Sequence, residues 1–462
     1  MGNTDVSIPR LFGTDGVRGV AGQYPLDPPT VRRLGGALVR ALTNRTNPTN
    51  PESRIPNPVR FLVGGDTRES GTWIEAELAH GASGEGAVVT SSGIVPTPAV
   101  AYLTRTHGYD AGIVISASHN PYGDNGIKVF SGKGEKFTER IEREVEAILA
   151  DRSWNTHDGE PAHVPHEDLV GDYLDHLRQI VEDAPSLRRF RLAIDCANGA
   201  TTTVAPPLFS SLGFDVDVIG DQPDGRNINL HCGSTDPEQL ARRVVEGGFE
   251  MGVAFDGDGD RAIFVDDRGR IVDGDAVLLM CARQLQRERR LRGHAIVATV
   301  MSNIGLELAL KPLGIDLVRC AVGDKYVMEE MLNRGLSLGG EQSGHIIFSD
   351  YLFTGDGLCT ALNVLRAVAL TGRKLSSLAG DLQTYPQVLL NVRVREKADL
   401  QSVPAIAKAI ARVQANVAGQ GRLLVRYSGT EPLLRVMLEG QDQNEIQRWA
   451  QEIVDVVKQH LG

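Results

Sequence analysis

Three aspartates spaced two apart, Asp256, Asp258 and Asp260 in "VAFDGDGDRAIFVDD", form the most chemically loaded stretch of this 462-residue chain. In an extended or looped backbone, side chains at i, i+2 and i+4 can point one way, and intervening glycines let three carboxylates close on one hard cation. An EF-hand loop is ruled out, because the sixth position is Arg261 instead of Gly, the twelfth is Asp267 instead of Glu, and both flanks read as strands. A plain Asp/Gly hairpin is the alternative, but acids crowded between buried strands repel one another unless a cation joins them. No His or Cys lies close by in sequence, so the donor set suits Mg²⁺ rather than zinc.

Four other stretches could act on a phosphorylated ligand. In "ISASHNPYGDNGIKVF" (115–130) Ser116 and Ser118 end an apolar run, and His119 and Lys128 bracket the turn that follows. Such strand ends usually host ligands in α/β domains, although Ser, Asn-Pro and Gly are also plain turn formers. A nucleophilic serine needs proton handling and a phosphoryl group needs positive charge, which is what His119 and Lys128 would supply. In "SLGGEQSGHIIF" Glu341, Ser343 and His345 alternate, forming a comb suited to sugar hydroxyls, though many Gly/Ser loops share this pattern. In "VRYSGTEPLLRVMLEG" Arg426, Ser428, Gly429, Thr430 and Arg435 set two guanidiniums around a Ser-Gly-Thr turn, able to cradle a phosphate dianion. "RLFGTDGVRG", with Arg18, reads by itself only as a loop.

The elements that position these residues follow from periodicity. Val- and Ile-rich runs alternate with helix-period segments, which predicts α/β architecture with largely parallel strands. Two stretches, 192–219 and 295–320, each read strand, Asn near Gly, helix, Leu-Gly-Phe/Ile-Asp, strand, and a looser copy runs from "VRFLVGGDTRESG" to "EGAVVTSSG". They are expected to be repeated βαβ units, one per domain. Polar residues 151–168 read as a linker and the Asn/Pro-rich 43–58 as a solvent loop, while a break near 370–377 precedes a short α+β segment.

Composition narrows the function classes. At ~150 residues per domain the length predicts about three domains, with four allowed. A net charge of −11 disfavours nucleic acid and anionic membranes as partners, so contacts to an anionic ligand must be local. No run of 18 apolar residues offers a membrane span. The N-terminus lacks the pattern of a signal peptide, and Val6 stands where myristoylation wants Ser or Thr. Five scattered cysteines form neither a disulfide framework nor a CxxC site, which predicts a reducing, cytoplasmic setting.

Taken together, "LFGTDGVRG", "SASHNP", "NGIKVF", "GRNINLHCGSTDPE", "DGDGDR", "TVMSNIGLE", "GGEQSGH", "DYLFTGDG", "YPQVLLNV" and "RYSGTEPLLRVM" resemble, in order and over almost the whole chain, the α-D-phosphohexomutase superfamily, most closely its amino-sugar branch. The resemblance implies an α/β fold of four domains around a central cleft, three αβα-layered with mixed sheets plus a smaller C-terminal α+β domain. Boundaries are expected at 1–158 (phosphoserine loop), 159–265 (metal loop), 266–374 (sugar loop) and 375–462 (phosphate loop). It implies that Ser118 carries a phosphoryl group and that the phosphate joins Asp256, Asp258 and Asp260 around Mg²⁺; Ser116→Ala is expected to be far milder than Ser118→Ala. Arg261 would lie beside the metal, Lys128 and Arg18 would neutralise the travelling group, and His119 would flank the serine. Glu341, Ser343 and His345 would meet the sugar, and His345 would serve either as general acid/base or as a phosphate contact. Arg426, Ser428, Gly429, Thr430 and Arg435 would grip the nonreacting phosphate. Lys325 stands in "VGDKYVMEEM" where this branch usually has Arg, a mild change only if the contact is a point charge.

The implied reaction interconverts glucosamine 6-phosphate and glucosamine 1-phosphate through a hexose or glucosamine 1,6-bisphosphate, which also serves as primer; Gln342 in "GEQSGH" points to the amino sugar. Glucose or mannose phosphates are the alternative substrates, and a homodimer is allowed. A hydrolase passing the phosphoryl group to water and a silent sugar-phosphate sensor are the rivals from other classes. A Ser/His/Asp hydrolase is disfavoured because no GxSxG elbow occurs.

Overall fold

A computed structural model describes residues 10–43, 58–157, 159, 163–184, 187–419, 421–428 and 432–462. They fall into two compact units, one running to Met301 and including Leu317–Gly380, the other made of Ser302–Asp316 and Asp381–Gly462.

The first unit is built on three mixed sheets. The N-terminal sheet orders its strands Phe12–Gly13, Gly16–Val20, Asp124–Ser131, Ala111–Ile115, Arg60–Gly65, Val88–Ile94. Arg60–Gly65 is parallel to Val88–Ile94 and Ala111–Ile115, whereas Asp124–Ser131 returns antiparallel and so sets Lys128 opposite Val114. Strand side chains alternate faces. Phe61, Val63, Ile113, Ile115, Ile127 and Val129 pack on helices Pro28–Thr43, Gly71–Gly84 and Glu139–Ala150. On the opposite face Gly64 and Gly112 let helix Thr97–Thr106 sit close, since a Cβ on Gly64 would strike Val100 and one on Gly112 would strike Thr104. That closeness brings Thr97, the first residue of the helix, up to the metal loop.

The second sheet orders Ile271–Val272, Ala262–Asp266, Met251–Phe255, Arg191–Asp195, Asp215–Ile219, and the third orders Asp316–Cys320, Ala295–Thr299, Leu338–Gly340, Ile346–Phe348. The repeats expected from sequence appear as strand–helix–strand at Arg60–Ile94, 191–219 and 295–320, with their strands adjacent in each sheet. The second unit carries the antiparallel sheet Gln387–Arg393, Leu433–Glu439, Arg422–Tyr427 with helices Pro404–Val417 and Gln443–Leu461, the α+β segment anticipated at the C-terminus.

Residues 151–168 are more than a linker. Trp154 is buried between the guanidiniums of Arg33 and Arg40, and Ser91 bonds Pro165 and Glu167 through the backbone, extending the sheet edge. The polar composition hid one aromatic anchor and a short strand-like pairing, which a composition-based reading does not detect. Most of the 43–58 loop lies outside the described residues.

Candidate active site

The strand Ala111–Ile115 ends at a buried turn in which Ser118 adopts a left-handed backbone, φ 55°. Its hydroxyl donates to Asp256 Oδ2, the residue just after strand Met251–Phe255. Asp256, Asp258 and Asp260 are all buried, in the loop that Gly259 turns with φ 70° before strand Ala262–Asp266 begins. One oxygen of each lies within 4.8 Å of the others. Asp258 Oδ1 and Asp260 Oδ1 are buried without a hydrogen-bond partner, and oxygens in that state are suited to a cation. Burial first, then the neighbouring Asp260 and Asp258, holds the Asp256 carboxyl well above the usual range. Burial also pushes up Asp260, but Lys128, His345 and Arg261 outweigh it and hold that group low.

Lys128 Nζ lies 2.6 Å from Asp258 Oδ2, 3.3 Å from Asp260 Oδ2 and 3.1 Å from Asp15 Oδ2. Although burial opposes its charge, these three carboxylates keep it protonated. Arg18 donates to Ala117 O at 3.2 Å and to Asp15, and the Arg261 amide donates to Asp256 Oδ1 at 3.1 Å. His119 Nδ1 stands 3.5 Å from Ser118 Oγ; burial, then Arg261 and Arg18, lowers its pKa to about 4, so the ring is neutral near pH 7. A cavity of about 400 Å³ opens beside this cluster, lined among others by Arg18, His119, Asp260, Arg261, Gly323 and Glu341.

The expected Glu341–Ser343–His345 comb does not share one direction. Glu341 lines the cavity and its Oε1 accepts from the Gly323 amide at 3.1 Å, while Ser343 is exposed. His345 turns inward after Gly344, whose φ is 92°, and is 2% exposed. Its Nε2 accepts from the Gly355 amide at 3.0 Å, which leaves the proton on Nδ1, 3.5 Å from Asp260 Oδ2. Gln342 donates through Nε2 to Asp273, the N-cap of helix Gly274–Arg287, and does not line the cavity. Lys325 is buried against Glu142 at 2.7 Å and also stands away from the cavity wall.

In the second unit Arg426 and Arg435 are directly opposed across antiparallel strands. Residues so paired present their side chains on one face of the sheet. Ser428 follows, its carbonyl accepting from Lys397 Nζ at 2.6 Å. Gly429 and Thr430 lie outside the described residues.

Sequence reasoning missed several neighbours. Asp15 binds Arg18, Lys128 and Lys136, and Lys136 also reaches Asp324. Thr97 donates to Asp258, and Arg68 and Asn229 hold the backbone around Ser118. Asp15, Arg68 and Asn229 sat inside motifs already singled out, but only a tertiary contact gives them meaning; nothing marked Lys136.

Comparison with known proteins gives the family. Family models of phosphoglucomutase/phosphomannomutase match in series: alpha/beta/alpha domain I at residues 9–156, domain II at 171–269, domain III at 273–385 and the C-terminal domain at 389–456. A phosphoglucosamine mutase of Solibacter usitatus is 48% identical over 98% of this chain and 99% of its own. That of Koribacter versatilis is 46% identical over 99% and 98%. The chain belongs to the phosphoglucosamine mutase family. It is a phosphohexomutase, an isomerase, with three α/β/α domains and a C-terminal domain. Among solved structures, a phosphoglucomutase/phosphomannomutase family protein of Burkholderia thailandensis superposes with TM-score 0.79 at 25% identity, covering 97% of each chain. An N-acetylphosphoglucosamine mutase of Aspergillus fumigatus, solved with GlcNAc-6P and magnesium, shares the fold at TM-score 0.66 and 17% identity, covering 97% of this chain and 95% of its own.

Proposed function

We propose that this phosphohexomutase interconverts glucosamine 6-phosphate and glucosamine 1-phosphate, with Ser118 carrying the phosphoryl group between two half-reactions. The observation that carries this reading is Ser118 Oγ bonded to Asp256, one of three clustered carboxylates, beside a cavity edged by Arg18 and Arg261. The phosphoryl group leaves Ser118 Oγ for a sugar hydroxyl, giving a 1,6-bisphosphate; after the sugar reorients, the other phosphate returns to Oγ and the hydroxyl proton is given back.

Carboxylates outnumber cations around the site, Asp15, Asp256, Asp258, Asp260, Asp324 and Glu341 against Arg18, Lys128, Lys136 and Arg261, and a serine phosphate would add to the excess. The donor set, with two unpartnered buried oxygens, fits Mg²⁺. When bound by Asp256, Asp258, Asp260 and an oxygen of the serine phosphate, the ion would neutralise charge on the transferring group. Arg18 and Arg261 line the path with fixed guanidiniums, and His119 borders Oγ as a neutral ring able to accept a hydrogen bond. Lys128 holds its charge among the carboxylates, while Glu341 offers the sugar a carboxylate oxygen. To Arg426, Ser428, Gly429, Thr430 and Arg435 we assign the binding of a phosphate dianion. Lys325, paired with Glu142, serves to brace helix Asp324–Arg334 rather than to touch the sugar. The division 1–158, 159–265, 266–374 and 375–462 gives each domain one of these loops. Five free, buried cysteines suit a cytoplasmic enzyme.

The test compares kcat/KM for glucosamine 1-phosphate, glucose 1-phosphate and mannose 1-phosphate in Mg²⁺ buffer with a bisphosphate primer, after intact mass has checked for one phosphate on the peptide holding Ser118. A tenfold or larger preference for glucose or mannose phosphate overturns the amino-sugar assignment, and free inorganic phosphate as the product would make the chain a hydrolase.

A further inference from the structure

Ser118 is held in a conformation that serine does not choose. A left-handed φ of 55° puts Cβ against the following carbonyl, so the surrounding structure must impose it. Both backbone groups of the residue are engaged. Its N–H donates to Ser116 Oγ at 2.9 Å, and Ser116 in turn donates to Asp66 Oδ2 at 2.5 Å. Its carbonyl accepts from Arg68 Nη2 at 3.0 Å and from Asn229 Nδ2 at 2.9 Å. The same Arg68 guanidinium donates to the carbonyls of Asn120 at 2.8 Å and Pro121 at 2.5 Å, and its Nε pairs with Asp66 at 3.0 Å with both side chains fully buried. One buried ion pair therefore reaches the N–H of residue 118 through Ser116 and its carbonyl directly.

Asn229 adds the link to the metal loop. It belongs to the segment matched by the domain II model, whereas Ser118 belongs to domain I, and its amide bonds both Ser118 O and, at 3.3 Å, Asn120 O. Gly257, between two of the three aspartates, packs so tightly that a Cβ there would meet Ser118 O at 2.6 Å and Asn229 Nδ2 at 2.8 Å. Asn229 itself has φ 57°, a conformation Asn tolerates better than most residues, and its N–H donates to Ala197 O at 2.9 Å.

We propose that Arg68 and Asn229 are positioning residues for phosphoryl transfer: together they fix the backbone of residue 118 so that Oγ points at the Asp256–Asp258–Asp260 cluster, with Asn229 setting the offset between serine loop and metal loop. The inference rests on Ser118 being the phosphoryl carrier. Neither side chain is among the residues lining the cavity; each acts through the carbonyl of the reacting residue. Freed of the clamp, the turn relaxes toward an ordinary φ and Oγ moves by about an ångström, enough to cost roughly 100-fold in rate. Lysine cannot replace Arg68, because one ammonium cannot span three carbonyls and a carboxylate.

The experiment uses the full-length enzyme, with Asn229→Ala, Asn229→Asp and Arg68→Lys beside wild type. Phosphoserine content is read by intact mass, Tm by calorimetry, and kcat and KM with glucosamine 1-phosphate and primer, normalised to phosphorylated protein. Both Asn229 variants are expected to fold with Tm lowered by only a few degrees, to keep KM within about threefold, and to lose about 30- to 100-fold in kcat. Arg68→Lys should fail to rescue kcat. A purely structural role would instead lower Tm and the phosphorylated fraction while leaving kcat per phosphorylated enzyme at the wild-type level. That result, or a change confined to KM in the Asn229 variants, overturns the proposal. Wild type without phosphate on Ser118 removes the carrier reading on which it stands, and wild type that turns over only glucose phosphates removes the substrate reading alone, in which case glucose 1-phosphate becomes the assay substrate.

Discussion

Replacing Asp256 with asparagine should move stability in opposite directions with and without metal. The three carboxylates have oxygens within 4.8 Å of one another and are buried. At that separation a pair of like charges costs about 3.5 kcal/mol with an effective dielectric near 20. Lys128 offsets Asp258 and Asp260 directly, whereas among the described residues Asp256 pairs with no lysine and has the Arg261 charge nearby and hydrogen bonds from Ser118 and the Arg261 amide. Asp256→Asn keeps the volume and an oxygen for that amide, and it removes the need, in EDTA, either to bear this repulsion or to take up a proton against the raised pKa of Asp256, so a net gain of about 1–2 kcal/mol is expected after the lost attraction to Arg261 is subtracted. Wild type, by contrast, should gain about 2.7 kcal/mol when Mg²⁺ reaches a hundred times its Kd. The variant should gain little, because one of the three protein ligands is neutral. The assay is the thermal transition of both proteins in EDTA and across a Mg²⁺ titration. The expected pattern is a variant more stable than wild type without metal and less responsive with it. A variant that is less stable in EDTA and still shows the wild-type Mg²⁺ shift would refute the reasoning, since it would mean that the three acids neither repel one another nor share a cation.

His345→Asn should leave the shape of the pH–rate profile unchanged and raise the Mg²⁺ concentration needed for half-maximal activity, because the buried ring faces Asp260 rather than the cavity; loss of one limb of the profile in rate measurements at saturating Mg²⁺ would restore it as an acid/base group. His119 supplies a pH-linked stability term. Its folded pKa of about 4 lies below the ordinary 6.5, so the unfolded chain takes the proton first and stability is lost as pH falls through 6.5 toward 4. Between pH 7.5 and 5 the loss should be about 1 kcal/mol after discounting for its partial exposure. His119→Gln should show a correspondingly smaller drop in Tm over that range, and an equal drop in both proteins would mean the ring titrates normally.

How much of this was legible in sequence depended on whether a spacing rule met the backbone it assumed. Asp256, Asp258 and Asp260 converge because the loop between two strands keeps alternate side chains on one side, as their spacing suggested. The alternation did not hold one direction at Glu341, Ser343 and His345, where Gly344 takes φ 92° and the buried His345 ring faces Asp260 instead of the cavity that Glu341 lines. The βαβ units were readable from periodicity, since buried parallel strands need apolar runs and each crossover needs a helix. Arg68 and Asn229 were not, because their partners are main-chain carbonyls, and a carbonyl leaves no trace in a residue type.

The charges at the cavity bear on which sugar the enzyme prefers. Of the carboxylates on its wall, Asp15 and Asp324 are already paired with Lys136, and Asp260 sits 3.3 Å from Lys128. Arg18 is bound to Asp15, so one of the two cavity guanidiniums has part of its charge committed. Glu341 differs: its hydrogen-bond partner is a backbone amide, and the guanidinium that attracts it, Arg261, is shared with Asp260 and Asp256. A C2 ammonium can donate a charge-assisted hydrogen bond to such a carboxylate, whereas a sugar hydroxyl donates more weakly and carries no charge. Gln342, the residue whose type suggested the amino sugar, is turned to Asp273, so under the proposed reading the discrimination falls to Glu341, one residue earlier in the same loop. Its strength would come from the partly desolvated setting of that carboxylate, where an unmet acceptor costs about 1–3 kcal/mol.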